Sequence, residues 1–171
     1  LKTTDVFNQY VDIATLGTIA DVVPLLGENR VIVDKGLKIL HNPKRIGIRA
    51  VMEVAGVLDK PLSASTIAFS IAPRLNAAGR LGSAATAVEL LLTNDESRAR
   101  ELALLLDTEN KERQQTERQI FDEALELIAK DPNFEKKKVI VLAQENWHQG
   151  VIGIVASRLC DMYYKPCILI S

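Results

Sequence analysis

The pattern of apolar and polar positions is unusual over residues 95–131, where a helical composition continues far beyond the length of a typical helix. No Gly or Pro interrupts this stretch, and Leu, Glu, Ala, Arg and Gln dominate it. Thr93 and Glu96 are spaced as a capping box at its start. Its apolar residues cluster at the two ends, and residues 107–119 contain none. A helix that is polar all round usually crosses solvent between domains. We therefore predict a connecting helix, with a coiled-coil stalk as the alternative.

Apolar residues recur at helical spacing through most of the preceding sequence. Predicted helices cover residues 6–20, 28–40, 46–57, 63–71 and 83–92, which makes residues 6–92 almost wholly helical. Asp5 and Ser63 are candidate N-caps, and Gly56 is a candidate C-terminal signal. In the second helix we expect Val31 to face inward. Residues 72–83 differ, because one Pro and two Gly interrupt them, and we predict an irregular segment there.

A strand, a helix and a second strand are predicted after the long helix. Val139 to Ala143 and Cys167 to Ile170 are short apolar runs of the kind found in buried parallel strands, and residues 150–164 have helical spacing. Ligands of such βαβ units bind at the carboxyl ends of the strands, beside the start of the helix. The loop residues Trp147 and His148 occupy that position in the sequence. The plainer interpretation of a lone His in a loop is simple exposure.

Composition sets limits on the possible functions. The chain of 171 residues is 47% apolar and has a net charge of −1, so a nucleic-acid surface would have to be a local patch. No apolar run approaches the roughly 20 residues that span a bilayer, so we expect no membrane helix. Cys160 and Cys167 have no metal-ligand neighbours, and we expect reduced thiols in the cytoplasm. Because the chain begins with Leu1 and stops at Ser171 inside an apolar run, we expect an internal piece of a longer protein.

Asp21 is the first candidate site residue. It follows the first predicted helix, and Pro24 shortly after it favours a turn. Its neighbours are apolar, so we expect a buried carboxylate, which is costly without a partner. That partner is either a capping contact or an ion pair with Arg30, or else a bound metal ion.

Arg74, Asn76 and Arg80 form the second candidate group. Two arginines flank an asparagine on one short segment, and such side chains bind phosphate oxygens. Gly79 and Gly82 would let the backbone approach a bound strand closely. The alternative is that both arginines pair with carboxylates and pin the segment to the rest of the protein.

Three long motifs carry a resemblance to a known family. They are VDIATLGTIADVVPLLGENR, APRLNAAGRLGSA and ENWHQGVIGIVASRL, with the polar helix before the last. In this order and spacing they resemble the RecJ family, bacterial single-stranded-DNA-specific 5′→3′ exonucleases of the DHH phosphoesterase superfamily. The resemblance implies an α/β protein. Residues 1–93 would be the helical C-terminal part of the DHH domain, residues 94–132 the connecting helix, and residues 133–171 the βαβ start of the DHH-associated domain.

The same resemblance implies roles for the candidate residues. Asp21 matches an Asp of the family's last metal-binding motif, which with other ligands holds two Mn²⁺ or Mg²⁺ ions in a cleft between the lobes. The residues that match nucleic-acid-binding motifs are Arg74, Asn76, Arg80, Trp147 and Gly150, with His148 beside them as the candidate catalytic residue. The family's Asp-x-Asp motif, a further Asp, the Asp-His-His triplet and a downstream Gly/Ser/Arg-rich loop are missing here.

We therefore expect an internal segment of a metal-dependent exonuclease that acts on single-stranded DNA in repair and recombination and is inactive as an isolated piece. Its expected partners are single-stranded DNA and other DNA-repair proteins, and we expect a cytoplasmic monomer. Two alternatives remain open. One is a DHH phosphodiesterase that acts on small nucleotides, and the other is a non-catalytic relative that binds nucleic acid or serves as a scaffold.

Overall fold

The computed structural model describes residues 3–171, with side chains from residue 6 onward. The helices are α1 Thr3–Ala20, α2 Gly27–Leu40, α3 Ile46–Val54, α4 Ala64–Thr66, α5 Ala72–Leu81, α6 Ala84–Leu92, α7 Glu96–Ala129 and α8 Gln149–Tyr163. A π-helical turn, Ile67–Ile71, joins α4 to α5, a 3₁₀ turn covers Phe134–Lys136, and the strands are β1 Ile140–Ala143 and β2 Cys167–Ile170. The predicted α/β class is confirmed. The predicted cap at Asp5 lies outside the described side chains.

The chain folds as two compact units, Leu1–Asn110 and Lys111–Ser171. Helix α7 supplies residues to both of them. The domain limits that we place at residues 93 and 132 remain predictions about a larger protein. Within residues 3–171, no helix is both long and apolar enough to cross a membrane.

Helices α1 and α2 of the first unit pack at backbone distance. A Cβ added at Gly36 in α2 would lie 1.8 Å from Thr15 Oγ1 in α1, so only glycine lets these helices approach so closely. The Thr15 hydroxyl donates to the carbonyl of Ile32 at 3.0 Å, which satisfies a fully buried polar group. The centre of the core contains fully buried residues from five elements: Leu40, Ile48, Ile67, Leu90 and Leu106.

The buried face of α2 differs from the predicted one at a single position. Val33, Gly36 and Leu40 are buried, at spacings of three and four residues. Val31 was predicted to face inward and is half-exposed. Two helical residues that are two positions apart lie about 200° apart around the axis, so Val31 and Val33 cannot both face the same core.

The turn signals on either side of α4 behave as predicted. Helix α3 ends three residues before its predicted limit, and Gly56 follows it with φ +68°. The Gly56 N–H donates to the carbonyl of Glu53 at 2.9 Å and the Val57 N–H to that of Met52 at 3.0 Å, the two bonds of a Schellman motif. Ser63 then caps α4, because its Oγ accepts the N–H three residues on at 3.0 Å.

The segment predicted to be irregular, residues 72–83, instead forms helix α5 over most of its length. Pro73 is the second residue of this helix and directly follows the π-helical turn, where the regular α-helical hydrogen bonding is already interrupted. The π-helical turn leads directly into it, with the Ala72 N–H bonded to the carbonyl of Ile67. The prediction was wrong because it treated proline as a break, whereas a first helical turn tolerates it.

Helix α7 confirms the predicted long helix, but its cap differs from the prediction. Asp95 Oδ1 accepts the N–H groups of Ser97 and Arg98 at 2.8 and 3.0 Å. Asp95 is therefore the N-cap, and the capping box of Thr93 with Glu96 is wrong. Aspartate satisfies two of the unpaired N–H groups of the first turn and also carries the charge that a helix N-terminus favours.

The polar middle of α7 is not surrounded by solvent. Asp107 and Asn110 are only 7% and 3% exposed, and Arg113 and Glu117 form a mostly buried ion pair at 2.7 Å. The prediction that the middle of this helix is solvated on all sides is therefore wrong for the positions that carry these four residues. Composition cannot show this, because a polar side chain can be buried wherever the fold supplies its hydrogen-bond partner.

The second unit contains the predicted βαβ arrangement. Strands β1 and β2 are parallel, with Ile140 opposite Cys167, and α8 connects them and packs against β2. Burial alternates along both strands, and Val141 and Ile168 are half-exposed. The expectation of strands buried on both faces is thus wrong for the described residues, since one face of this sheet is covered and the other faces solvent.

Candidate nucleic-acid interface

Arg74 is held inside the first unit rather than presented on its surface. Its Nε and Nη2 atoms lie 2.9 and 2.8 Å from Asp107 Oδ1 in α7, and Nη1 donates to the carbonyl of Ser70. The side chains of Arg74 and Asp107 are only 17% and 10% exposed. Of the two interpretations, the geometry favours pinning for Arg74, which ties α5 to α7. A phosphate contact by Arg74 remains a prediction, and it would require this ion pair to break.

The exposed face of α5 carries Asn76, Gly79 and Arg80. These positions are three and four residues apart, which puts them on one side of the helix. A Cβ added at Gly79 would meet no atom within 4 Å, so the space in front of this face is open. Ala77 and Ala78 occupy the buried side. The later part of the motif is therefore accessible to a ligand, whereas its first arginine is not.

Gly82, directly after α5, has a packing role. A Cβ at this position would lie 2.6 Å from Glu109 Oε1 in α7, so a side chain here would require this carboxylate to move. The prediction that Gly82 lets a bound strand come close is therefore not supported. Only Gly79 of the two glycines faces open space.

Asp21 lies in the turn after α1 and is exposed. Its N–H donates to the carbonyl of Gly17 at 3.0 Å, which continues the helical hydrogen bonding by one residue. The next residue, Val22, has φ +55° and is 86% exposed. The expectation of a buried carboxylate is wrong, because the turn that carries Asp21 is exposed, as Val22 and Leu26 after it are. The described residues also include no ion pair between Asp21 and Arg30, so the carboxylate is accessible.

The side chains from residue 6 onward do not form a complete metal site. They contain no group of three or more His, Cys, Asp and Glu residues that could hold an ion. A two-metal site needs several carboxylate and imidazole ligands around ions about 3.5–4 Å apart. The described donor set is therefore incomplete for such a site, and Asp21 can supply one oxygen ligand to it.

Trp147 is a buried anchor in the second unit. It is 4% exposed, and its Nε1–H donates to Glu123 Oε2 at 2.8 Å. Glu123 also accepts from Gln119 Nε2 at 2.9 Å. The hydrogen bonds from Gln119 and then from Trp147 hold the pKa of Glu123 below its ordinary value of 4.5. A ring buried to this extent has no open face for a base, so the predicted nucleic-acid contact of Trp147 is not supported by its placement.

His148 is exposed and forms the N-cap of α8. Its Nδ1 accepts the N–H of Gly150 at 3.1 Å. An imidazole nitrogen that accepts a hydrogen bond carries no proton, so neutral His148 has its N–H on Nε2. That N–H is suited to donate to a ligand oxygen. His148 and Gly150 thus lie at the helix start where the sequence puts them, and the catalytic role of His148 remains a prediction.

A cavity of about 430 Å³ lies at the carboxyl ends of both strands. Most of its lining is polar or comes from the strand ends: Ala143, Gln144, Glu145, Asn146, Ile170 and Ser171. This is the position at which a βαβ unit is expected to bind a ligand. Trp147 and His148 follow the lining loop in sequence but do not belong to the lining.

Three residues that shape these surfaces were missed by the sequence reasoning. Asp107 and Glu123 bind partners that lie 33 and 24 positions away, and no spacing along α7 indicates such partners. Phe69, on the π-helical turn, is 81% exposed. An aromatic residue within a helical pattern is usually a core residue, so the sequence contained no signal for its exposure.

Comparison with known proteins shows what the chain is similar to. No protein-family model matches the chain. The single-stranded-DNA-specific exonuclease RecJ of Bacillus subtilis is 40% identical over 164 residues, which are 96% of this chain and 21% of that protein. The enzyme of the same name from Haemophilus influenzae is 45% identical over 165 residues, 95% of this chain and 29% of that protein. The chain matches a segment of RecJ.

The fold of RecJ agrees with this match. A crystal structure of RecJ in complex with Mg²⁺ from Thermus thermophilus gives a TM-score of 0.82 at 41% identity and covers 94% of this chain and 25% of that one. Another structure of RecJ from the same organism is a complex with Mn²⁺. The resemblance inferred from the three motifs is therefore confirmed. The chain spans less than a third of the length of these RecJ proteins.

Proposed function

We propose that the complete protein carrying this chain is an exonuclease that hydrolyses phosphodiester bonds of single-stranded DNA from the 5′ end, in DNA repair and recombination. The similarity to RecJ supports the reaction. The observation within this chain that carries the proposal is the exposure of the motif residues Asp21, Asn76, Arg80 and His148. Exposed polar groups in motifs that resemble those of a nuclease family are suited to bind a charged polymer.

The exposed residues of α5 would hold the backbone of the strand. Guanidinium and amide groups donate to phosphate oxygens, and phosphates are present on every nucleotide, so Asn76 and Arg80 would bind without regard to sequence. The Nε2–H of His148 would donate to a phosphate oxygen. Its opposite nitrogen is occupied by the helix cap, which fixes the orientation of the ring.

Asp21 would supply one oxygen ligand to a divalent ion, Mn²⁺ or Mg²⁺. Such an ion, when bound, activates water and neutralises charge on the phosphate. Because the described side chains offer one suitable ligand at this turn, we propose that the other ligands come from residues outside this chain. The isolated chain should then release no nucleotides.

The proposal extends to the organisation of the complete protein. Residues 1–93 would end the DHH domain, residues 94–132 would connect it, and residues 133–171 would begin the DHH-associated domain. We also propose a cytoplasmic monomer that works with other DNA-repair proteins. Size measurement of the complete protein in solution, alone and with single-stranded DNA, tests the monomer.

The test of the activity is Asp21→Asn in the complete protein, with 5′-phosphorylated single-stranded DNA and Mn²⁺ or Mg²⁺. Loss of a partner to a metal ligand costs about 10–100-fold, so loss of a ligand itself should reduce nucleotide release by roughly 100-fold or more. The melting temperature should stay the same, because Asp21 is exposed. Asp34→Asn, which alters an exposed carboxylate paired with Lys38, is the matched control and should retain activity.

Three other results would each decide against a part of the proposal. Full activity of Asp21→Asn would show that Asp21 is not a ligand. Hydrolysis of dinucleotides without attack on longer strands would favour the phosphodiesterase of small nucleotides. Tight binding of single-stranded DNA by an inactive wild-type protein would favour the non-catalytic relative.

A further inference from the structure

Phe69 contributes little to the packing of the described residues. It is 81% exposed, whereas Ile67 and Ile71 on the same π-helical turn are completely buried. The two isoleucines fix the turn to the core and leave the aromatic side chain in water. A large apolar side chain stabilises a fold in proportion to the area it removes from water, so burial within this chain does not account for the phenylalanine.

The helical turn that carries Phe69 is itself unusual. Its hydrogen bonds run to the fifth residue, as in the bond from the Ala72 N–H to the carbonyl of Ile67. Single π-helical turns inside α-helices occur frequently at functional sites. Regular helix follows at once, so Phe69 stands on a rigid support and not on a loop.

The exposed positions after Phe69 are those of the candidate phosphate-binding group. Asn76, Gly79 and Arg80 are exposed along the same run of helix, within about three turns of Phe69. An aromatic ring therefore shares a rigid surface with an amide and a guanidinium. Proteins that hold single strands combine these elements, with aromatic rings that stack on bases and cationic or amide groups that follow the backbone.

We propose that Phe69 is a base-stacking residue for single-stranded DNA. The proposal rests on the proposed function and goes beyond it, since it assigns a base contact to a surface to which the proposed function gives only phosphate contacts. Every base has an aromatic face, so this contact holds the strand without reading its sequence. A protein partner is less well matched, because one aromatic residue followed by polar and glycine positions is too small an apolar patch for a stable protein interface.

The test measures the affinity of the complete protein for short 5′-phosphorylated strands that carry one abasic site, moved along the strand position by position. Cleavage is prevented by omitting divalent ions. Phe69→Ala should weaken binding of the intact strand by roughly 5- to 150-fold, the range measured for loss of one stacked base. In the wild type, an abasic site at one position should cause a loss of similar size. For the strand with the abasic site at that position, Phe69→Ala should cause no further loss of affinity.

Two variants and one further measurement complete the design. Phe69→Trp should bind the intact strand at least as well as the wild type, because it retains an aromatic face. Leu104→Ala, at another half-exposed apolar position of the first unit, should bind as the wild type does. The slope of log affinity against log salt should be the same for Phe69→Ala and wild type, because no phosphate contact is lost.

The possible failures can be told apart. Wild-type protein that binds no single-stranded DNA at all would overturn the proposed function together with this inference. Wild-type binding with an unchanged affinity for Phe69→Ala would overturn the stacking role alone. A fall in melting temperature of Phe69→Ala, with an equal loss of affinity wherever the abasic site lies, would show that Phe69 packs against protein.

Discussion

Two of the three motif regions of this protein, one in each compact unit, are anchored in the same way but by contacts of different strength. In the first unit, Arg74 is tied to Asp107 of α7, and the motif residues after it are exposed. In the second unit, Trp147 is tied to Glu123 of α7, and His148 after it is exposed. In both regions the first distinctive residue of a motif anchors the segment and the later ones face solvent. A motif is therefore not a list of ligand contacts.

The two anchors differ in charge and burial. The Arg74–Asp107 pair brings two opposite charges into a site where both side chains are nearly buried. The Trp147–Glu123 contact joins a neutral N–H to a carboxylate that is only half-buried. Removing one partner leaves a stranded charge in the first case and a hydrated carboxylate in the second. The consequences for stability should differ accordingly.

The largest loss of stability is expected from Asp107→Leu. It leaves the Arg74 guanidinium without its counter-ion inside the first unit, which should lower the free energy of unfolding by about 3–5 kcal/mol. Chemical denaturation of the complete protein measures this. The double variant Arg74→Met with Asp107→Leu should recover most of the loss, since no charge is then stranded. A double variant as unstable as the single one would show that lost packing, and not the stranded charge, is responsible.

A smaller effect is expected from Trp147→Phe. It removes the N–H that Glu123 accepts while keeping an apolar ring, and a hydrogen bond to a charged group contributes about 1.5–3 kcal/mol. The matched control is Gln119→Ala, which removes the other donor to Glu123 without disturbing the buried ring. If Trp147→Phe is as stable as wild type, the indole N–H is not the anchor.

The Trp147 contact also has a predictable dependence on pH. The pKa of Glu123 is lowered in the folded state, so its stabilising contribution is present above the ordinary value of 4.5 and is lost as the pH falls through the lowered pKa. The difference in stability between wild type and Trp147→Phe should therefore shrink in acid. If this difference in stability stays constant from neutral pH to pH values well below 4.5, the Trp147 hydrogen bond does not depend on the ionised form of Glu123.

Replacement of His148 should cost about 1 kcal/mol of stability, the usual cost of losing an N-cap. His148→Ala removes the acceptor of the Gly150 N–H, and His148→Asn provides another one. We expect His148→Asn to regain the stability but not the hydrolysis of single-stranded DNA, because the Nε2–H is absent. Recovery of both by His148→Asn would reduce His148 to a capping residue.

The smallest effect is expected from Arg80→Gln, measured as binding of single-stranded DNA by the complete protein at several salt concentrations. One lost phosphate contact should reduce the slope of log affinity against log salt by about 0.7. Lys38→Gln, at an exposed and ion-paired lysine in α2, should leave the slope unchanged. A lower melting temperature of Arg80→Gln with an unchanged slope would make Arg80 a second anchor, like Arg74.

Most secondary-structure elements of this protein could be predicted from the sequence by itself, because they depend on local chemistry. Helical spacing and the absence of Gly and Pro were sufficient for α7, and short apolar runs were sufficient for β1 and β2. The caps at Ser63 and Gly56 were also predictable. These features depend on residues within a few positions of one another, so a single sequence contains the information. The order and spacing of the three motifs likewise indicated the similarity to RecJ.

Only the tertiary structure decided which residues of each motif are available to a ligand. Arg74 and Arg80 are six positions apart in one helix, and the first is buried because Asp107, 33 positions away, faces it. Asp21 is exposed although its neighbours are apolar, and Phe69 is exposed although it lies in a helix that belongs to the core. Burial depends on what packs against a residue from distant parts of the chain, and hydrophobic spacing describes only the element that carries it.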